Sequence, residues 1–221
     1  MVISEHGGDI YSREISLDFS ANLNPSGMPE GVKTALKNSV SEWENYPDPL
    51  CRKLCKALSE YENFPIGNIV CGNGAADLIY RLVKVVNPKK VIVTAPAFSE
   101  YEKALSENGT EILHYYLSEK YDFAIDKGIL DVIDSSADMI FLCNPNNPTG
   151  QLVPKDILKA VAEKCLENDI ILVCDECFLP FVTDGKSKSA RQFINKNVVI
   201  LKAFTKIYSM AGLRLGYALF G

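Results

Sequence analysis

A chain of 221 residues has room for one large domain or two small ones, and its 47% hydrophobic content is ordinary for a globular core. Its net charge is −5 with the basic residues scattered, which leaves no electrostatic footprint for nucleic acid. Apolar runs such as 170–174 are far too short to span a bilayer, and the opening MVISEHGGDIYSRE lacks the basic start and apolar stretch of a signal peptide. Residues 1–28, broken by Gly7-Gly8, Asn22, Asn24-Pro25 and Gly27, read as an extended arm ahead of one domain over 29–221. Helical patterns follow over 30–43 and 50–61, separated by the breaker NYPDP. From there the spacing predicts strand 68–71, helix 75–86, strand 91–94, helix 99–108, strand 111–117 and a weak helix near 127–133. Strand 139–143, helix 154–168, strands 170–174 and 198–202 and a last strand-like run, 215–220, complete the series. Such alternation argues for an α/β fold, a three-layer sandwich around a mainly parallel sheet. The chain stops at Gly221 directly after a strand, with no covering helix, and reads as a piece of something longer.

Seven cysteines, an odd number without framework spacing, fit a reducing cytoplasm better than a disulfide scaffold. Cys174 and Cys177 form a C-x-x-C, but no second Cys/His pair has metal-ligand spacing and Cys174 continues an apolar strand. They read as small buried residues flanking a functional acid, and no metal is expected.

Three strand ends carry the chemistry. MIFLC ends at Asn144, IILVC at Asp175 and VVILKAF at Thr205, so an Asn, an Asp and a Lys reach one rim, where open α/β sheets bind ligands. That set suits pyridoxal 5′-phosphate (PLP) chemistry, in which a lysine forms the Schiff base and an acid partners the pyridine nitrogen. In CGNGAADLIY, glycines sit between a strand and a helix. The turn is either structural or a phosphate cradle, with Gly74 admitting the anion to the amides of Ala75 and Ala76. NPNNPTG is either a polar turn or a rigid loop that holds the Asn147 amide toward a phenolate oxygen. Asp175 is preferred to Glu176 as the acid because it continues the strand, where a charge is costly unless paired. Lys206 follows an apolar strand and Thr205, a setting that favours loss of its proton. Arg214, eight residues on in AGLRLG, can complete a phosphate cup with Thr205 and the Gly74 turn.

NPNNPTG, the Asp-Glu strand end and TK-x₇-RLGY, in this order, resemble the fold-type-I PLP enzymes, specifically the class I/II aminotransferase family, over 6–221. The resemblance implies that Lys206 is the Schiff-base lysine, Asp175 the ring-nitrogen partner and Asn147 the ligand of the ring hydroxyl. It gives the phosphate to Gly74, Ala75, Ala76, Thr205 and Arg214, and stacks Phe98 of APAF on the ring. Tyr46 of NYPDP would reach the phosphate of a neighbouring subunit, which implies a homodimer with shared sites. The branches most similar are histidinol-phosphate aminotransferase and threonine-phosphate decarboxylase. HGG-x-I, DFSANLNPSGMP and Phe178 resemble the decarboxylase branch, which serves cobalamin biosynthesis, and His6 and Asn24 are the implied substrate contacts. Ala203 departs from the pattern, since the family usually places Ser or Thr there against the phosphate. Family members also carry a small C-terminal domain whose arginine grips the substrate carboxylate, and no residue here matches it.

The expected activity is transamination of a small phosphorylated amino acid or amine, with decarboxylation of threonine phosphate as the alternative. The two differ in which Cα bond lies perpendicular to the cofactor ring. A non-catalytic PLP-fold binding protein is the third reading, disfavoured by the retention of Lys206, Asp175 and Asn147 together.

Overall fold

Aliphatic runs flanked by Gly, Pro and Asn become the seven strands of one sheet in the computed structural model, which describes residues 7–12 and 14–221. They are β1 (Ile69–Asn73), β2 (Lys90–Ala95), β3 (Glu111–Tyr116), β4 (Met139–Cys143), β5 (Ile171–Asp175), β6 (Val198–Ala203) and β7 (Leu215–Phe220), in the order β1-β7-β6-β5-β4-β2-β3. The pairs from β3 through β2, β4 and β5 to β6 are parallel, while β7 runs antiparallel to both β6 and β1. The expected mainly parallel sheet is present. The exception has a simple cause: the 204–214 connection contains no α-helix to cross a sheet face, so the chain turns straight back.

Among the described residues, five α-helices accompany the sheet: α1 (Glu30–Asn38), α2 (Arg52–Glu62), α3 (Gly74–Val86), α4 (Glu100–Glu107) and α5 (Lys155–Glu167). The period-two alternation of the strands sorts the core. Val91, Val93, Phe141, Val173 and Leu201 pack beneath α3 and α4. Ile92, Ile140, Leu142, Leu172 and Ile200 face α2 and α5. Every residue of β4 is buried, as a strand covered on both sides must be.

Most elements fall within two residues of the expected bounds, with two corrections. The helix expected over 30–43 stops at Asn38, followed by a single 3₁₀ turn, Val40–Glu42. α1 buries no residue that would hold a longer helix in place, and the Ser39 hydroxyl bonds the Leu36 carbonyl (2.9 Å) instead of letting the ladder continue. The expected helix over 127–133 is a 3₁₀ segment, Lys127–Val132, which Asp126 caps by accepting from the Gly128 amide (2.8 Å). Among the described residues, no helix is long and apolar enough to cross a membrane.

Candidate active site

Strand register assembles the site. Cys143 pairs with Asp175, Asp175 with Leu201, and Ala203 with Gly216, so β4, β5 and β6 end on one rim. Because β7 is antiparallel, its first residue lies there too, and Leu215 pairs with Asn73 at the end of β1. Arg214 thereby arrives beside the start of α3. A cavity of about 610 Å³ opens on this rim, on the α3 side of the sheet.

One end of the cavity is built for an anion. Ala75 and Ala76 line it from the first turn of α3, whose amides have no intrahelical acceptor, and no side chain caps this helix. Gly74 sits at φ +83°, and a Cβ there would lie 2.4 Å from Arg214 Nη2. Arg214 is held by carbonyls, Nη1 donating to Ala211 (3.1 Å) and Nη2 to Asn73 (3.5 Å). A Cβ on Gly216 would lie 2.6 Å from the Ala75 nitrogen, so only glycine lets β7 run against the start of α3. Thr205 lines the same cavity. Ala203 does so as well, without a hydroxyl to offer.

The other end is built for a ring. Asp175 is 4% exposed, with its Oδ2 accepting from the Tyr101 hydroxyl (2.8 Å) and its Oδ1 from the Cys177 amide (3.0 Å). Tyr101 is fully buried, stacked on Phe141 at 4.8 Å and edge-on to Phe98 at 5.6 Å. Burial, and then the charge of Asp175, push the Tyr101 phenol well above its ordinary range, so it stays a donor. Glu176 faces away, accepting from Ser189 Oγ (2.8 Å) and the Ala190 amide (2.7 Å).

Of the three asparagines in NPNNPTG, two anchor the loop to its surroundings. Asn144 Nδ2 donates to the Lys188 carbonyl (3.0 Å), and Asn146 Nδ2 to Pro96 and Thr149 (both 3.0 Å). Asn147 lines the cavity, and Asn146 Oδ1 is the one buried side-chain polar atom without a partner among the described residues. Lys206 enters opposite, its Nζ 5.7 Å from the centre of the Phe178 ring. Burial lowers the Lys206 pKa below the usual amine range. Cys177 opposes that shift, Arg214 adds to it, and Asp175 opposes it.

The cavity brings together Gly74's turn, Ala75, Ala76, Phe98, Asn147, Asp175, Thr205, Lys206 and Arg214. One expected cavity residue is placed otherwise. Asn24 does not line it. Its Nδ2 donates to the Ile207 carbonyl (2.8 Å) and its Oδ1 accepts from the Ser26 amide (3.0 Å), while its own amide donates to the Lys206 carbonyl (3.1 Å). It staples the arm to the lysine loop, a role open to any short amide beside free carbonyls. Tyr46 is fully exposed, away from this chain's own cavity. His6 lies outside the described residues.

The sequence reading also passed over Tyr101, which stands behind the cavity on Asp175, and several residues that line it. Tyr101, in the first turn of α4, could have been found from its position three residues after Phe98, whose carbonyl accepts from its amide (3.3 Å). Cys177 follows Asp175 by two and shares its face of the strand end. Ser20, Ala21 and Asn22 of the arm line the cavity. No local pattern announces them, because the contact is made across the fold.

The donor set fits a phosphorylated pyridine. An uncapped helix start with an arginine suits a dianion, a buried carboxylate suits a ring nitrogen, a cavity-lining amide suits a phenolate, and a lysine with a lowered pKa suits an aldehyde. Comparison with known proteins agrees. Residues 14–220 match the family model described as aminotransferase class I and II. A threonine-phosphate decarboxylase of Salmonella typhimurium is 36% identical over 222 residues, covering 97% of this chain and 61% of that protein. A histidinol-phosphate aminotransferase of Desulfitobacterium hafniense is 38% identical over 207 residues, covering 90% and 56%. The crystal structure of the Clostridium acetobutylicum histidinol-phosphate aminotransferase superposes with a TM-score of 0.82 at 29% identity, over 91% of this chain and 59% of that one. The chain spans about three fifths of the length of the curated relatives it matches.

Proposed function

The chain belongs to the aminotransferase class I and II family, and from that premise we propose that it binds PLP and acts on a small phosphorylated amino acid or amine, with transamination as its reaction. The observation that carries this reading is the convergence of Lys206, Asp175, Asn147 and the α3 start on one cavity. Lys206 would hold the cofactor aldehyde, Asp175 the pyridine nitrogen and Asn147 the ring hydroxyl. The amides of Ala75 and Ala76, with Thr205 and Arg214, would hold the phosphate, and Phe98 would lie against the ring. When bound, PLP supplies an electron sink that stabilises negative charge at the amine-bearing carbon. Lys206 Nζ, whose pKa burial lowers, would take the proton from that carbon and return one. Asp175 would keep the ring nitrogen protonated, and the Tyr101 hydroxyl holds Asp175 in place.

Decarboxylation is the second reading. What favours it is that the Salmonella typhimurium relative matches 97% of the chain, arm included, and that arm residues Ser20 to Asn22 line the cavity. Assembly follows from the same reading: Tyr46 completes a neighbour's phosphate site in a homodimer. The exposed Tyr11, Phe19, Trp43 and Leu50 support a surface awaiting a second copy. Seven unpaired cysteines fit the cytoplasm.

The test is an absorbance spectrum of the full-length protein with PLP, then product analysis with threonine phosphate, and with histidinol phosphate plus 2-oxoglutarate. Transfer of the amine to 2-oxoglutarate supports transamination. Carbon dioxide release from threonine phosphate replaces it with the second reading. No PLP absorbance overturns both.

A further inference from the structure

Three of the seven thiols gather away from the cavity, on the α2 side of β1. Cys51 stands at the N-cap of α2 and Cys55 one turn later, on the same helix face. Cys71 projects from β1, its Sγ 3.6 Å from that of Cys55, and Cys51 is its other thiol neighbour. All three are partly exposed, whereas Cys143, Cys165, Cys174 and Cys177 are buried. A disulfide needs its sulfurs about 2.05 Å apart, so a bridge requires these two to close from the 3.6 Å at which they stand.

We propose that Cys51, Cys55 and Cys71 form an oxidisable thiol site, in which a peroxide closes a Cys55–Cys71 disulfide and Cys51 serves as the exchange thiol. Burial, then the neighbouring Cys55 and Cys51 thiols, push the Cys71 thiol up to about 12, so Cys71 keeps its proton and Cys55 meets the oxidant. Cys55 sulfur attacks one peroxide oxygen. The O–O bond breaks, water or an alcohol leaves, and Cys55 carries a sulfenic acid. Cys71 sulfur then attacks the Cys55 sulfur. The S–S bond forms, the S–O bond breaks, and the departing hydroxyl takes the Cys71 proton as water. Two thiols have lost two electrons and the peroxide has gained them. On reduction, an external thiol opens the bridge, and Cys51 shortens that path by exchanging with it. The bridge ties α2 to the strand that runs into the Gly72–Gly74 turn, and so joins the site to the anion end of the cavity.

The test treats the full-length protein with hydrogen peroxide, counts thiols after denaturation and maps non-reduced peptides. A Cys55–Cys71 peptide with loss of two thiols, both restored by dithiothreitol, supports the site. An unchanged thiol count, or a bridge that includes any of the four buried cysteines, overturns it. In Cys71→Ser, Cys55 should stop at the sulfenic acid and be trapped by dimedone. Bridging of Cys51 to Cys55 at the wild-type rate would overturn the assigned pair. In Cys51→Ser, the bridge should still form but reopen about tenfold more slowly in glutathione, and an unchanged reopening rate would remove Cys51 from the scheme.

Discussion

Asp175 and Glu176 are neighbours, both carboxylates, and buried to 4% and 0% exposure, yet they serve opposite faces of the sheet. Asp175 faces the cavity and is held by the Tyr101 hydroxyl and a backbone amide. Glu176 faces the α2 and α5 side, where burial pushes its carboxyl up to about 7 although Lys202, Ser189 and Ala190 pull it down. The same pleat divides the lysines. Lys202 Nζ donates to the buried Glu62 (2.9 Å) on the far face, while Lys206, beyond the strand end, enters the cavity. Chemistry at this rim is therefore assigned by strand parity, not by residue type.

The sharpest way to break that division is at the lysines. Lys206→Ala should abolish turnover, and borohydride reduction followed by peptide mapping should place the pyridoxyl group of the wild type on Lys206. A label on Lys202 would reverse the two faces. Next come the acids. Asp175→Asn should keep PLP bound but lower turnover by orders of magnitude, because the ring nitrogen loses its anionic partner. Glu176→Gln should leave turnover within a few-fold. A loss below about tenfold, or about 1.4 kcal/mol, in Asp175→Asn would show that the cavity-facing acid is not the one that matters.

Glu176 should instead report on stability. Its folded pKa of about 7 lies above the ordinary 4.5, so the folded state holds the proton more tightly. Its stabilising contribution is then fully present below pH 4.5 and is lost as pH rises to about 7. At 1.36 kcal/mol per unit, wild type should lose about 3 kcal/mol relative to Glu176→Gln across that window. Urea unfolding of both proteins at pH 4 and pH 8 measures it. An equal difference between them at the two pH values would place Glu176 in contact with solvent.

Much of this was legible in the sequence, because strand ends mark the rim of an α/β sheet. MIFLC, IILVC and VVILKAF placed Asn147, Asp175 and Lys206 near one another before any coordinates, and apolar periodicity placed the sheet. What stayed hidden depends on contacts between distant segments. Asn24 carries an ordinary turn signature, and only the fold shows its amide holding the Ile207 carbonyl. The need for glycine at 216 arises from the approach of α3, far away in sequence. α1 ended early because amphipathic spacing promises a buried face and this one has no partner among the described residues.

The smallest expected effect tests how Asp175 is kept on its face. Tyr101→Phe keeps the stack on Phe141 and the edge contact with Phe98 but removes the hydroxyl that donates to Oδ2. A lost hydrogen bond to a charged group is worth about 1.5–3 kcal/mol, so turnover should fall by roughly tenfold or more while the KM for substrate holds. Loss of packing alone would lower stability without moving the cofactor spectrum. A tilted Asp175 changes the protonation of the ring nitrogen and therefore shifts the absorbance of bound PLP. The double variant decides between them. If Tyr101 acts only through Asp175, adding Tyr101→Phe to Asp175→Asn should cost nothing further in turnover, since the anion it orients is already gone. Additive losses would show that Tyr101 serves the cavity by another route, and that a buried tyrosine is not what holds Asp175 to the cavity side of the pleat.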